Sequence, residues 1–274
     1  MPETARAQIY VTSVGGGTIG EYNFDGSAVN TALVSGLNDP TGIAVSGGDI
    51  FVAGLGGTIG EYNLNGTPVN ATLVTGLQGP YGIAVLGSDI FVAGNNVVAE
   101  YSTTTGTPVN TALISGLSYP TGIAISGGDI FVANSGTGTI GEYTTTGTAV
   151  KTALVSGLSS PEGIAVSGGD LFVANHNTDT IGEYTTTGTP VNTALVSGLS
   201  YPEGIAASGG DLFVANNNIG TMGEYTTTGG TVDTALVSDL NYPWGIAVVA
   251  PEPNTLALAG FGGLSLLLLR RQKK

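Results

Sequence analysis

His176 is the sole histidine of the 274-residue chain. Glu162 and Glu203 flank it in sequence, each at the same place in a recurring Pro-x-Gly-Ile-Ala phrase. An imidazole beside two carboxylates can move protons near neutral pH, one group taking a proton while another gives one. The same loop, Asn175-His176-Asn177, also has the composition of an ordinary surface turn. Geometry separates the two readings, because a proton-transfer site needs the three groups to converge. Other chemistries are excluded by composition. There is no Cys, so no thiol nucleophile, Cys-based zinc site or disulfide exists. Acids outnumber Lys and Arg 20 to 6, which argues against nucleic acid as a partner. Five of the six cations are terminal: Arg6, Arg270, Arg271, Lys273 and Lys274. Residues 8–250 hold Lys151 alone against 18 acids, so 1 − 18 leaves a net charge of −17.

The elements that must position these groups are set by a repeat. The Pro-x-Gly-Ile-Ala phrase starts at Pro40, Pro80, Pro120, Pro161, Pro202 and Pro243, in steps of 40 or 41 residues. A second phrase, Gly-Glu-Tyr or Ala-Glu-Tyr, places Glu21, Glu61, Glu100, Glu142, Glu183 and Glu224. Each repeat carries four short apolar runs separated by turn residues. In one they are Gly163–Val166, Asp170–Ala174, Thr180–Tyr184 and Val191–Leu199. Runs rich in Val, Ile, Thr, Phe and Tyr, bounded by Gly, Asn and Ser, predict strands, here lettered a to d. Four strands in about 41 residues make one blade of a β-propeller. The chain opens at Ile9-Tyr10-Val11, a strand b, and closes at Gly245–Val248, a strand a. The ends are complementary, so an all-β ring of six four-stranded blades is expected, closed by the C-terminal strand. The expected domain spans residues 8–249, between an N-terminal remnant (1–7) and a separate tail (250–274).

Internal comparison marks one face as free to specialise. The a–b turns are near-constant Ser-Gly-Gly-Asp, whereas the d–a and b–c loops vary. Antiparallel order puts both variable loops on one side of the disc. The residue between Pro and Gly is Thr41, Tyr81, Thr121, Glu162, Glu203 or Trp244, expected near the channel mouth. Just before Pro stand Asp39, Tyr119, Tyr201 and Tyr242. With Asn175, His176 and Asn216 from the b–c loops, the binding face is expected to comprise Tyr81, Tyr119, Glu162, Tyr201, Glu203, Tyr242 and Trp244. Aromatics beside polar groups suit a polysaccharide or a peptide. The strand-c glutamates have almost no cations to pair with, so they are expected to face solvent or accept backbone and Thr hydrogen bonds. A divalent metal through Asn134, Asn175 and Asn216 is conceivable, but turn preference accounts for these residues without one.

The phrases Pro-x-Gly-Ile-Ala-Val, Asp-Ile-Phe-Val-Ala-Asn and Thr-Ile-Gly-Glu-Tyr resemble NHL-type propeller repeats and are similar to streptogramin-lyase-like propellers. The latter resemblance implies a site of His and Glu with a divalent metal, although the pattern does not map here residue by residue. Past Val249, Pro251-Glu252-Pro253 leads into an apolar run, Leu256–Leu269, and a basic end at Arg270 and Arg271. Fourteen apolar residues are short of the roughly 20 a spanning helix needs, and the basic end belongs on the cytoplasmic side. This three-part pattern resembles the PEP-CTERM sorting signal. It implies a C-terminal hydrophobic helix anchoring the chain transiently in the bacterial inner membrane. It also implies an exosortase-type membrane protease as partner and delivery to the cell surface or exopolysaccharide matrix. Ala5-Arg6-Ala7 has the small-x-small form of a signal-peptidase site, so an export signal is expected upstream of Met1. The sequence reading is an exported, non-enzymatic binding or structural module that needs no cofactor. A secreted lyase or lactone hydrolase acting through His176, Glu162 and Glu203 is its alternative.

Overall fold

The computed structural model describes residues 7–250. The expected leader remnant, PEP-CTERM segment and C-terminal helix lie almost wholly outside them. Among the described residues, no helix is long and apolar enough to cross a membrane.

Six four-stranded antiparallel sheets form the ring. Blade 1 is assembled from both ends, with strand a (Pro243–Val249), b (Gln8–Ser13), c (Thr18–Asn23) and d (Ala28–Ser35). Its closing pair runs antiparallel, with Gln8 opposite Val249 and Ile9 opposite Val248. Blades 2 to 6 each follow a-b-c-d in chain order, and their innermost strands begin at Pro40, Pro80, Pro120, Pro161 and Pro202. In blade 5 the strands are Pro161–Ser167, Asp170–Asn175, Thr180–Thr185 and Pro190–Ser197. Its strand d stops before the expected Leu199, since Gly198 turns the chain at φ +76°. Two b–c loops also form a single 3₁₀ turn, His176–Thr178 and Asn217–Ile219.

The core lies between blades. Strand b is buried on both faces, so it reads as a continuous apolar run such as Ile130-Phe131-Val132-Ala133. Phe131 packs with Ile140, Leu154 and Ile164, joining blade 4 to blade 5. Strand d is the outer edge and is exposed over most of its length. Innermost strands crowd around the axis. A Cβ on Gly82 would fall on the Thr121 carbonyl of the next blade, and one on Gly122 on the Glu162 carbonyl. The invariant Gly of the repeat is therefore a close-approach position between strands a, and the ring could not close around a bulkier residue.

Blade 1 differs where the chain ends meet. Gln8, Tyr10 and Thr12 stand where blade 2 has Asp49, Phe51 and Ala53. Each adds a hydrogen bond. Gln8 donates to Glu21, and Tyr10 donates to Gln8 Oε1 at 2.9 Å. Thr12 Oγ1 donates to the Thr41 carbonyl at 2.7 Å and accepts from the Gly245 N–H at 2.7 Å. Of these polar residues, Thr12 staples strand b to strand a, which has no covalent neighbour in its blade, and Gln8 ties strand b to strand c. They also correct one expectation. Glu21 is buried and held by Gln8, unlike the half-buried strand-c glutamates of the other blades. Burial raises its carboxyl above the usual range.

Candidate functional site

The d–a and b–c loops do lie on one face and are tied together. Backbone N–H groups of Leu55, Ser135, His176 and Asn217 donate to the carbonyls of Asp39, Tyr119, Ser160 and Tyr201, all within 3.1 Å. Val14 does the same to Tyr242. Each accepting residue precedes the Pro and has left-handed backbone: Asp39, Tyr119, Ser160, Tyr201 and Tyr242 have φ from +46° to +53°. Blade 3 uses Gly79 at this place, at φ +53°. The conformation aims the carbonyl at the b–c loop. Sequence could not announce it, since a residue before Pro ordinarily prefers extended backbone.

Three tyrosines accept this strain without burying their rings. Tyr119, Tyr201 and Tyr242 are 71%, 47% and 57% exposed. Tyr119 lies over Gly136 and Tyr242 over Gly15, where added methyl groups would strike the rings. Tyr201 stacks on His176, centroids 4.6 Å apart and planes 16° off parallel. The three rings stand out along one loop face.

The axial mouth is a cavity of about 140 Å³. Its wall includes Tyr81, Thr121, Glu162, Glu203 and Trp244, over a floor of Gly and Ile from the innermost strands. Tyr81 and Trp244 come from blades 3 and 1 and approach to 6.2 Å across blade 2. They can do so because Thr41, expected at the mouth, is fully buried. Its hydroxyl turns inward and donates to the Pro80 carbonyl at 3.0 Å. The opposite arc is acidic, with Glu162 and Glu203 on the adjacent blades 5 and 6.

The structure brings His176, Glu162 and Glu203 together. His176 Nδ1 stands 3.0 Å from Glu203 Oε1. At that distance the protonated imidazole and the carboxylate form an ion pair. The Glu203 side chain is 5% exposed, and its Oε2 has no protein partner. Glu162 Oε1 accepts from Ser135 Oγ at 2.9 Å and Ser160 Oγ at 3.2 Å. Burial, then the charge of Glu203, pushes Glu162 up to about 7. Burial also raises Glu203, while contact with that carboxylate raises His176. Near neutral pH Glu162 is therefore poised to gain or lose a proton.

The ring gives this cluster a structural reason. Ser135, His176 and Asn217 are equivalent first residues of successive b–c loops. Each reaches the next blade's strand a: Ser135 to Glu162, His176 to Glu203, and Asn217 Nδ2 to the Pro243 carbonyl at 3.1 Å. The His–Glu pair is one member of a repeated blade-to-blade latch. Ser135 and Ser160 were not singled out by sequence reading, and only blade equivalence to His176 and Tyr201 signals them.

Asn175 and Asn216 sit beneath the face, 3% and 1% exposed, correcting their expected place on it. Asn134 and Asn216 accept from the backbone of Ser118 and Ser200, tying down d–a loops. Among the described residues, no three His, Asp or Glu side chains form a set able to hold a metal ion.

Fold and face together define a six-bladed β-propeller with an acidic and aromatic axial mouth. No protein-family model and no curated protein matches the chain in sequence. Solved structures match the fold. The chain is similar to a propeller in a nidogen/laminin complex, at 18% identity and TM-score 0.79 over 90% of this chain and 100% of that one. It is similar to a streptogramin B lyase at 21% identity and TM-score 0.67, over 88% and 83%. A catalytically inactive histidine-to-alanine virginiamycin B lyase from Staphylococcus aureus, solved with quinupristin, matches at 19% identity and TM-score 0.65 over 89% of each chain.

Proposed function

We propose that the propeller is a non-enzymatic binding module that engages polysaccharide with its loop face. The observation that carries this reading is the set of three exposed tyrosines held in left-handed backbone. Each costs on the order of 1 kcal/mol that Gly would not, and the rings recover little of it by burial. Rigid aromatic faces on a fixed frame stack on sugar rings at small entropic cost. In the same reading, Pro251-Glu252-Pro253, the apolar run and Arg270-Arg271 direct export and exosortase-type cleavage. The body then resides at the cell surface or in the exopolysaccharide matrix. Its charge of −17 over residues 8–250 keeps it soluble there. A glycan array probed with the purified chain and with a Tyr119→Gly, Tyr201→Gly, Tyr242→Gly triple variant tests the reading. Binding by the parent and not by the folded variant supports it, and equal signals from both sink it.

A second reading is favoured by the cluster of His176, Glu203 and Glu162 at the cavity. In a lyase, Glu162 as carboxylate would take a proton from carbon, and the electron pair would form C=C as the C–O bond breaks. The His176 imidazolium would protonate the departing oxygen. One similar structure is a lyase made catalytically inactive by loss of a histidine. The latch role of the equivalent Ser135 and Asn217 explains the geometry without catalysis, so binding ranks first. Turnover of a lactone-linked or ester-linked substrate that disappears in His176→Ser would reverse that order.

A further inference from the structure

We infer that the axial mouth recognises an amino sugar, with the ammonium at Glu162 and the pyranose face against Trp244 and Tyr81. This rests on the polysaccharide-binding reading and adds the class of sugar.

Two unlike walls share one small cavity. Tyr81 and Trp244 form an aromatic arc, and Glu162 and Glu203 form an acidic arc. Their groups serve different parts of a ligand. Aromatic faces take an apolar C–H surface or a cation. A carboxylate with one oxygen held by two serines can still accept from an ammonium through its other oxygen. Glu203 Oε2 is buried and unpartnered at the same mouth, an acceptor still lacking a donor. No Lys or Arg lies in either arc; Lys151 instead donates to the Thr187 carbonyl at 3.2 Å, far out on strand d.

At about 140 Å³ the cavity cannot receive a long chain. Stacking surface and positive charge must therefore sit on one compact group. An amino sugar carries its ammonium directly on the ring. A lysine carries it on a flexible four-carbon stem with no flat face. Neutral sugars would stack but leave Glu162 without a cation, since His176 is paired with Glu203. The net charge of the body draws a polycationic glycan toward the face at low salt.

The test uses the full chain and three β-1,4 hexamers: fully deacetylated glucosamine, its N-acetylated counterpart and glucose. Isothermal titration in 150 mM salt is expected to show the deacetylated hexamer binding roughly tenfold tighter than the acetylated one. Glu162→Gln removes that preference, Trp244→Ala weakens all hexamers, and the outlying control Glu183→Gln changes neither. Thermal melting confirms that each variant is folded. A preference that survives Glu162→Gln, or falls equally in Glu183→Gln, overturns the inference in favour of bulk charge. Equal binding of the glucose hexamer, lost in Trp244→Ala, overturns it while leaving the polysaccharide reading in place. Binding of no hexamer overturns the inference, and the glycan array with the triple tyrosine variant then decides the polysaccharide reading.

Discussion

His176 Nδ1 and Glu203 Oε1 stand 3.0 Å apart across the boundary between blades 5 and 6. Their neighbours Ser135 and Glu162 make the equivalent contact one blade earlier, at 2.9 Å. This pairing sets the first expected outcome. His176→Ala leaves a buried carboxylate without its partner and costs about 3 kcal/mol. His176→Ser copies the Ser135 latch and recovers most of the loss. Denaturant midpoints of the two variants check this, and equal losses would refute the latch.

Stability should fall as pH rises from acid to neutral. Burial raises Glu162 from 4.5 to about 7 and raises Glu203, and His176 is raised by Glu203. All three bind protons more tightly when folded than when unfolded. Their contribution is complete at low pH and is lost as pH climbs through the folded values. For Glu162 the loss runs between pH 4.5 and about 7 and is on the order of 2–3 kcal/mol. Urea unfolding at pH 5 and pH 8 measures it, and Glu162→Gln should flatten the difference.

Tyr119→Gly should raise the melting temperature. The residue has φ +46° and a ring 71% exposed, so Gly removes about 1 kcal/mol of strain and loses little packing. Greater flexibility of the unfolded Gly chain offsets part of the gain. Tyr119→Ala keeps the strain and should not stabilise. Paired melts of the two variants decide the matter.

Two glycines separate close approach from backbone strain. Gly122→Ala drives a methyl into the Glu162 carbonyl and should cost about 3 kcal/mol. Gly168→Ala has open space but sits at φ +63°, so it should cost about 1 kcal/mol. Similar costs would mean that the ring can expand.

Thr12→Ala tests the closure. It strips the Gly245 N–H of its 2.7 Å acceptor and should cost 1–2 kcal/mol by the usual penalty for an orphaned buried donor, about that size. Denaturation of the variant measures it, and a neutral effect would assign closure to strand pairing alone.

The architecture was legible because a propeller repeats its physics. Each blade needs the same turns, the same continuous strand b and the same Gly at the axis, so period and strand count survive in the chain as text. Closure could be read from the mismatch between Ile9-Tyr10-Val11 and Gly245–Val248. The site was legible only as a group of candidates. His176, Glu162 and Glu203 carry suitable chemistry, but their meeting depends on one blade's loop reaching the next blade's first strand. Thr41 and Trp244 fill the same place in the repeat, yet one turns inward to a carbonyl and the other lines the mouth. Tyr119 and Asp39 share a left-handed backbone that local preference opposes and the bond from the b–c loop imposes. Sequence by itself determined the blades, their number and their joining, because these follow from local periodicity. Tertiary structure alone decided which side chains point into the mouth, which are buried latches and how the carboxyls titrate, because neighbouring blades set those distances and that burial.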